Sequence, residues 1–325
     1  MRRAGVIGLI GLLLASLVAT VVTAQAPKPH RIGLLTATAN PDREAVLRQE
    51  LRRLGYTEGQ NLVIEYRTAD ARFERLPALA EELVGLKVDV IIAVVTQASL
   101  AAKKATSTTP VVMVAVDDPV RAGLVTSLAR PGGNVTGTST SASEVVGKQL
   151  ELLRELRPKA SRIGLLWNPA NPVYQKRSMD AAKAAAAKLK IRLQIAAARA
   201  PEDFDRALTT IAGQGAEALL ILADPLFTPH GGQLAELTVK HRLPAVSGPR
   251  EMAEQGLLMT YGPSFAEAYR RTAFYVDRIL KGARPADLPV EQGSKFDLVV
   301  NAKSARALGV PLPNALVTRA DHLVQ

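Results

Sequence analysis

The sequence lacks cysteine altogether among its 325 residues. Without cysteine, the chain forms no disulfide, offers no thiolate to a metal and carries no lipid on a cysteine. Histidine is scarce as well, and no two of the four histidines lie at the spacing typical of metal ligands. Gly-x-Ser-x-Gly, Walker and Gly-x-Gly-x-x-Gly motifs are missing. We therefore predict no catalytic residues, no metal and no cofactor, and we expect that the protein is not an enzyme.

The basic residues outnumber the acidic ones but form no dense run. Lys and Arg total 41 against 30 Asp and Glu, which gives a formal net charge of +11. A nucleic-acid-binding chain concentrates such an excess in one basic stretch or patch. We interpret these charges as a solvated surface and expect no nucleic acid partner. Hydrophobic residues make up 47% of the chain, which is typical of a globular protein.

The amino terminus has the pattern of an export signal. Arg2 and Arg3 precede an apolar stretch, and small residues close it at 22–24, Val-Thr-Ala. Cleavage near Ala24 would leave a soluble monomer in the periplasm. The alternative is a retained membrane anchor, because the uncharged span 4–27 approaches the length of a membrane helix. The small residues at 22 and 24 favour cleavage, since signal peptidase requires them and an anchor does not.

From Arg31 onward, short apolar runs alternate with helical patterns, as in a parallel sheet covered on both faces. The predicted strands of the first half are 31–35, 61–66, 88–95, 110–116 and 135–138. The predicted helices between them are 42–54, 73–86 and 99–105. The fold class is therefore α/β. The length exceeds that of one ordinary core, so we expect two lobes.

The order of elements restarts at Arg162, where Arg-Ile-Gly-Leu-Leu repeats the first strand. Later predicted strands are 191–197, 218–222, 243–246, 256–261 and 296–300, and later helices are 173–189, 201–213, 264–280 and 303–308. This repetition predicts two similar doubly wound parallel-sheet lobes joined by hinge crossovers. The predicted division is 1–24 signal peptide, 31–140 plus 261–290 N-terminal lobe, and 141–260 plus 291–325 C-terminal lobe.

Ligands of open parallel sheets bind beyond the carboxyl ends of the strands, so polar residues that follow strands are the candidate site. These residues are Thr36, Thr38, Thr96, Gln97, Asp117, Asp118, Trp167, Asn168, Asp224, Phe227, Thr228, Ser247, Arg250 and Tyr261. Hydroxyls, amides, charges and aromatic faces of this kind orient a polar organic ligand.

Several candidates have a purely structural alternative. Asp117 and Asp224 precede prolines closely, so each either caps the next helix or contacts the ligand. Asn168 lies in an Asn-Pro dipeptide that is ordinary in turns. The single Trp167 either packs in the core or stacks on a ligand. Arg250 suits a carboxylate partner, but a surface ion pair is equally open.

Four stretches resemble the family of ABC-importer substrate-binding proteins with the type I periplasmic binding fold, a family that includes tryptophan- and tyrosine-binding members. They are 127–137 (SLARPGGNVTG), 55–61 (GYTEGQN), 261–264 (YGPS) and 279–289 (ILKGARPADLP). The resemblance implies a ligand cleft between the lobes. It places ligand contacts at Thr96, Gln97, Asp117, Ser139, Asn168, Asp224 and Tyr261.

The segment after the first strand departs from that family pattern. It reads Thr36-Ala-Thr-Ala-Asn40 and lacks an aromatic or acidic residue to hold an ammonium group. The resemblance implies a small organic ligand, an amino acid or a related molecule, and an ABC importer permease as partners. Because of this departure, it names no particular ligand. The competing hypothesis is an exported ligand sensor or an enzyme on the same two lobes, because a fold does not fix a function.

Overall fold

A computed structural model describes residues 28–140, 142–143 and 145–325. The predicted signal peptide, 1–24, lies outside the described residues. Among the residues described, no helix is both long and apolar enough to span a bilayer.

The described chain alternates strands and helices along its length. The strands are β1 (His30–Thr36), β2 (Leu62–Thr68), β3 (Val90–Val94), β4 (Val111–Asp117), β5 (Val135–Thr140), β6 (Arg162–Trp167), β7 (Arg192–Ala197), β8 (Ala218–Ile221), β9 (Ala245–Ser247), β10 (Met259–Pro263), β11 (Glu291–Gln292), β12 (Phe296–Asn301) and β13 (His322–Val324). The helices are α1 (Pro41–Arg53), α2 (Leu76–Gly85), α3 (Val95–Ala105), α4 (Val146–Leu156), α5 (Pro172–Leu189), α6 (Phe204–Gly213), α7 (Gly231–Lys240), α8 (Arg250–Glu254), α9 (Phe265–Leu280), α10 (Ala302–Leu308) and α11 (Asn314–Arg319).

Two sheets form, one in each lobe. The first has the order β11-β5-β4-β3-β1-β2 and is parallel throughout. The second has the order β13-β12-β10-β9-β8-β6-β7, and only the β10–β12 pair in it is antiparallel. Their central strands are buried on both faces, which explains the unbroken apolar runs of β3 and β8. The two mainly parallel sheets with interleaved helices confirm the predicted fold class.

The repeated Arg-Ile-Gly-Leu-Leu occupies equivalent places in the two sheets. β1 lies between β2 and β3, and β6 lies between β7 and β8. The glycine at the centre of each strand allows a helix to approach closely. A Cβ on Gly33 would lie 3.1 Å from Leu83, and one on Gly164 would lie 2.3 Å from Ile211. The repeat therefore reflects the same strand-to-helix packing in both lobes.

Each sheet is covered by helices on both faces. In the first lobe, α1 and α9 pack on one face and α2 and α3 on the other. In the second lobe, α4, α5, α10 and α11 pack on one face and α6, α7 and α8 on the other. Helix α9 follows β10 of the second sheet but packs on the first sheet, and β12 follows β11 back into the second. The chain thus passes repeatedly between the lobes, and the residue bounds predicted for each lobe stay a prediction.

Some elements differ from the sequence prediction. No helix follows β4, because residues 118–134 form turns before β5 begins. Asp117 therefore caps no following helix, and that alternative is wrong. The prediction also omitted α4, α7, α8, α11, β11 and β13.

Candidate ligand-binding site

A cavity of about 470 Å³ lies between the lobes at the carboxyl ends of the sheet strands. This volume falls in the range of small-molecule sites in proteins, roughly 300–1,000 Å³. Its wall combines segments of both lobes that follow strands or begin helices: 36–43, 94–97, Ala115, Asp117, Ala142, 145–146, Gln149, Asn171, Tyr174, 223–225, 228–229, 248–249, Glu251, 254–255, Pro263, Phe265 and Tyr269.

Asp224 is a buried carboxylate at this wall whose hydrogen-bond donors are all neutral. Its Oδ1 accepts from Asn168 Nδ2 at 3.0 Å and from the Leu226 N–H at 2.9 Å. Its Oδ2 accepts from Asn171 Nδ2 at 2.7 Å and from Gln175 Nε2 at 3.1 Å. Burial raises the pKa of Asp224, and these hydrogen bonds offset only part of that rise. An ionised Asp224 therefore brings a negative charge to the cavity that no basic side chain in the described part of the chain neutralises.

A polar chain links Asp224 to the first lobe. Asn171 donates to Asp224, and its own Oδ1 accepts a hydrogen bond from Gln97 Nε2. Gln97 lies in the first turn of α3, whose N-cap residue, Val94, provides no side-chain hydrogen bond. The first N–H groups of a helix lack partners within the helix and carry its positive dipole end. The cavity thus has a negative carboxylate on one lobe and a positive helix end on the other.

The backbone of the first lobe is strained where it meets the cavity. Val95 has φ 64° and Ala115 has φ 53°, and both line the cavity. A β-branched residue rarely adopts such a conformation, and strain of this kind recurs at ligand sites. Ala115 lies at an irregularity in the β4–β5 pairing, where its N–H donates to Thr138 Oγ1 at 3.0 Å. The neighbouring Gly137 is required there, because a Cβ would lie 2.1 Å from the carbonyl oxygen of Met113.

Asp117 forms a second contact between the lobes. Its Oδ1 accepts from the N–H and the hydroxyl of Ser143, at 3.2 and 3.1 Å. Its Oδ2 accepts from Arg177 of α5 at 2.8 Å, and Arg177 also lies 3.4 Å from Asp118. Burial raises the pKa of Asp117, and Ser143 and Arg177 counter the rise only in part. This carboxylate, unlike Asp224, therefore has a cationic partner.

A bidentate ion pair closes another side of the cavity. Arg43 Nε and Nη2 of α1 donate to the two carboxylate oxygens of Glu251 of α8, at 2.5 and 2.7 Å. The guanidinium carbon lies 3.7 Å from the centre of the Phe265 ring. Burial raises the pKa of Glu251, but the charge and hydrogen bonds of the Arg43 guanidinium, together with hydrogen bonds from the Glu251 N–H and from Asn40, outweigh burial, so the net shift is downward. Glu251 is therefore held in its ionised form.

The remaining wall is largely apolar and aromatic. Tyr174, Phe265 and Tyr269 line it together with valines, alanines and prolines from both lobes. Burial raises the pKa of Tyr174 and of Tyr269, so both phenols stay neutral. This part of the cavity can enclose an apolar or aromatic portion of a ligand.

Seven of the predicted site residues line the cavity: Thr36, Thr38, Thr96, Gln97, Asp117, Asp224 and Thr228. Asn168 lies behind them and donates to Asp224. Asp224 also accepts the N–H of Leu226 in the turn that follows it, and its role as a ligand contact stays a prediction.

Other predicted residues lie away from the cavity wall, among them Asp118, Phe227 and Ser247. Ser139 lines a second, smaller cavity of about 190 Å³ beside β11. Arg250 pairs with Glu254 at 2.7 Å on the surface, as the structural alternative proposed. The ring of Tyr261 packs on the second-lobe core, while its carbonyl accepts from Gln149 at 2.7 Å. Their assignment as ligand contacts stays a prediction.

Trp167 is part-buried and packs on the core of the second lobe, away from the cavity wall.

The cavity also contains residues that the sequence interpretation omitted, notably Arg43, Gln149, Asn171, Tyr174 and Glu251. The sequence contains a signal for Arg43 and Asn171 as site residues, because each follows the first strand of its lobe near the start of a helix. It contains no such signal for Gln149, because this residue lies within α4, a helix that was not predicted. Among the described residues, no group of His, Asp or Glu side chains is arranged to hold a metal ion.

Comparison with known proteins gives a consistent result. A family model described as ABC transporter substrate binding protein matches residues 42–324. A tyrosine-binding protein of Clostridioides difficile (strain R20291) is 27% identical over 284 residues, which cover 86% of this chain and 81% of that protein.

Two solved structures share the fold of this chain. A domain from Streptococcus pneumonia in complex with L-Trp has a TM-score of 0.82 at 25% identity, and covers 91% of this chain and 100% of its own. The ligand-free, open structure of a substrate-binding protein with adhesive properties from Clostridium difficile has a TM-score of 0.65 at 27% identity. The match covers 91% of this chain and 99% of that chain.

Proposed function

We propose a function from one premise: this chain belongs to the family of ABC transporter substrate-binding proteins. The family and the relatives above are binding proteins, which confirms the expectation that the chain is not an enzyme. In our proposal, the protein captures a small zwitterionic molecule, an amino acid or a close relative, in the cavity between its lobes. It does so outside the cytoplasmic membrane, as a monomer, and delivers the ligand to the permease of an ABC importer.

The single observation that carries the choice of ligand is the buried Asp224 with its four neutral donors. A charge so far from water is costly unless a cation pairs with it. An ammonium group of a ligand would supply that cation and form a charge-assisted hydrogen bond. Asp224 is thus our proposed ammonium site.

The amino end of α3 is the proposed carboxylate site. Its uncapped N–H groups at Thr96 and Gln97 border the same cavity as Asp224. A carboxylate there would accept hydrogen bonds from backbone N–H groups and interact favourably with the helix dipole. The Gln97–Asn171 contact keeps this helix end close to Asp224, so the two charges of one amino acid would be held together.

The apolar wall would enclose the ligand side chain. Tyr174, Phe265 and Tyr269 offer aromatic faces there. The relatives described above include a tyrosine-binding protein and a domain in complex with L-Trp, which supports an aromatic or apolar amino acid as the ligand of this chain.

We infer that the arrangement described here is the closed one. At equal coverage and similar identity, it agrees better with the L-Trp complex than with the open structure. Three pairs of polar side chains also connect the lobes across the cavity. The open form would arise by hinge rotation at the crossovers.

The test uses purified mature protein and four probes, of which three share the indole ring. L-Tryptophan carries both charges, tryptamine lacks the carboxylate, indole-3-propionate lacks the ammonium group, and L-tyrosine changes the ring. Thermal shift followed by calorimetry should show binding of a complete amino acid, with tryptamine and indole-3-propionate each weaker by about ten- to a hundredfold. Equal affinity for an amino acid and its analogue without the ammonium group would contradict the proposed role of Asp224. A thermal-shift panel of the other common amino acids completes the test, and if no amino acid binds, the amino acid assignment is wrong.

A further inference from the structure

Arg43 is the only basic side chain on the cavity wall within the described ranges. It lies in the first turn of α1, where Asn40 accepts the Arg43 N–H at 3.0 Å and donates its own N–H to Glu44 at 3.2 Å. Tyr66 also donates to Glu44 at 2.9 Å. These contacts fix the start of α1, so the position of Arg43 is set by its own lobe.

Glu251 of the opposite lobe accepts both hydrogen bonds that the Nε and Nη2 edge of the Arg43 guanidinium donates. Both carboxylate oxygens of Glu251 are used, in the geometry that a guanidinium forms with a bound carboxylate. The pair is largely shielded, with side-chain exposures of 12% for Arg43 and 19% for Glu251. The Phe265 ring covers the guanidinium face. The protein thus places its own carboxylate where an acidic group of a ligand would otherwise bind.

We propose that Glu251 determines the charge selectivity of the cavity by occupying Arg43, so that the site rejects ligands with a second carboxylate. The inference rests on the proposed function, since it concerns the side chain of an amino acid held at this site. With Arg43 occupied, an acidic side chain meets no available cation on the described wall. It meets the carboxylates of Asp117, Asp224 and Glu251 instead, and like charges at a shielded site discriminate strongly.

Replacing Glu251 by Gln should reverse this selectivity. The substitution keeps the size of the side chain but leaves Arg43 as a partly buried cation without a full partner. A ligand carboxylate would then regain the charge-assisted hydrogen bonds that Glu251 provided. We expect the affinity for an acidic ligand, relative to its neutral counterpart, to rise by about ten- to a hundredfold.

The experiment measures that ratio for two matched probe pairs by calorimetry. L-Glutamine and L-glutamate test a short side chain, and L-phenylalanine and 4-carboxy-L-phenylalanine test a long one. The control variant is Glu155→Gln, because Glu155 is a glutamate of the same lobe that also pairs with an arginine, Arg319, but lies away from the cavity wall. The expected result is a ratio that shifts toward the acidic probe of at least one pair in Glu251→Gln and stays constant in Glu155→Gln.

The double variant Arg43→Gln with Glu251→Gln separates charge from shape, and thermal melting of each variant verifies folding. The gain in affinity for the acidic probe should disappear in the double variant, because the cation is gone. An unchanged ratio in folded Glu251→Gln, or a gain that persists without Arg43, would overturn the proposal. If the wild type binds no neutral amino acid while Glu251→Gln still gains the acidic probe, the proposed function fails and the role of Glu251 stands.

Discussion

Replacing Asp224 by Asn tests the ammonium site with a minimal change of shape. The substitution removes the charge and exchanges one carboxylate oxygen for an NH₂ group. Asn168 and Asn171 cannot turn to accommodate it, because their carbonyl oxygens already accept hydrogen bonds from the Ala170 N–H and from Gln97. At least one neighbouring amide therefore loses its acceptor.

The structure separates the effect on folding from the effect on binding. An unsatisfied buried donor costs about 1–3 kcal/mol of folding free energy. Removal of a buried charge without a cationic partner offsets part of this cost. The melting temperature of the ligand-free variant should therefore change little. Ligand affinity should fall by about 1.5–3 kcal/mol, roughly ten- to a hundredfold in dissociation constant, because the charge-assisted hydrogen bond to the ammonium group is lost.

Calorimetric titration and thermal melting of the same preparations measure both quantities. Asp205→Asn is the matched control, since Asp205 is an exposed carboxylate of the same lobe that pairs with Lys240 away from the cavity. Affinity retained within about threefold in folded Asp224→Asn would refute the reasoning.

The same carboxylate predicts a pH dependence. Its pKa is raised in the ligand-free protein, so its contribution to stability is fully present below the ordinary pKa of an aspartate. That contribution is lost as the pH rises through the raised value. A bound ammonium group favours the ionised form, so affinity should weaken as the pH falls through the raised pKa. Calorimetry across this range should show the decline in the wild type and its absence in Asp224→Asn.

Three further outcomes are expected. Gly137→Ala should lower the free energy of unfolding by more than about 3 kcal/mol in denaturant titration, because the new Cβ would collide with the backbone of Met113 at a positive φ; a loss below about 1 kcal/mol would contradict this. Arg177→Gln should increase the radius of gyration of the ligand-free protein in small-angle scattering, since Asp117 loses its partner across the cleft, and an unchanged radius would count against that contact holding the lobes. Amino-terminal sequencing of exported protein should begin near Gln25, and retention of residues 1–24 would favour the anchor.

The fold was predictable because two features of the sequence agree, namely the apolar strand runs and the repeated pentapeptide. The apolar run of β3 and its repeat in β8 require a strand buried on both faces, and Arg-Ile-Gly-Leu-Leu appears twice with the same packing role. The antiparallel β10–β12 pair was not predictable, because strand direction in a sheet depends on how the chain returns between lobes. The leucines of α4 form an apolar face, so the sequence does contain a signal for this helix.

The site was predictable where a residue directly follows a strand, and less so where it reaches the cavity from within a helix. Asp117 ends β4 and Asp224 follows β8 within a few residues, so the rule for parallel sheets found them. Gln149 reaches the cavity from the interior of α4, and no local pattern distinguishes it from a surface glutamine. The pairing of Arg43 with Glu251 joins residues far apart in sequence, and only the packed lobes reveal it.

The stretch 127–137, on which the family resemblance chiefly depends, contributes no residue to the cavity wall. Its Gly137 instead lies opposite the irregularity that turns Ala115 toward the cavity. The wall itself consists of many short segments, which come from the ends of different strands and from the helices that follow them. Such a division allows the scaffold and the ligand preference to evolve at separate rates, because one loop can change while both sheets remain intact. Relatives that share the stretch 127–137 can therefore differ in the ligand that they bind. Sequence similarity in this stretch is a poor guide to ligand identity.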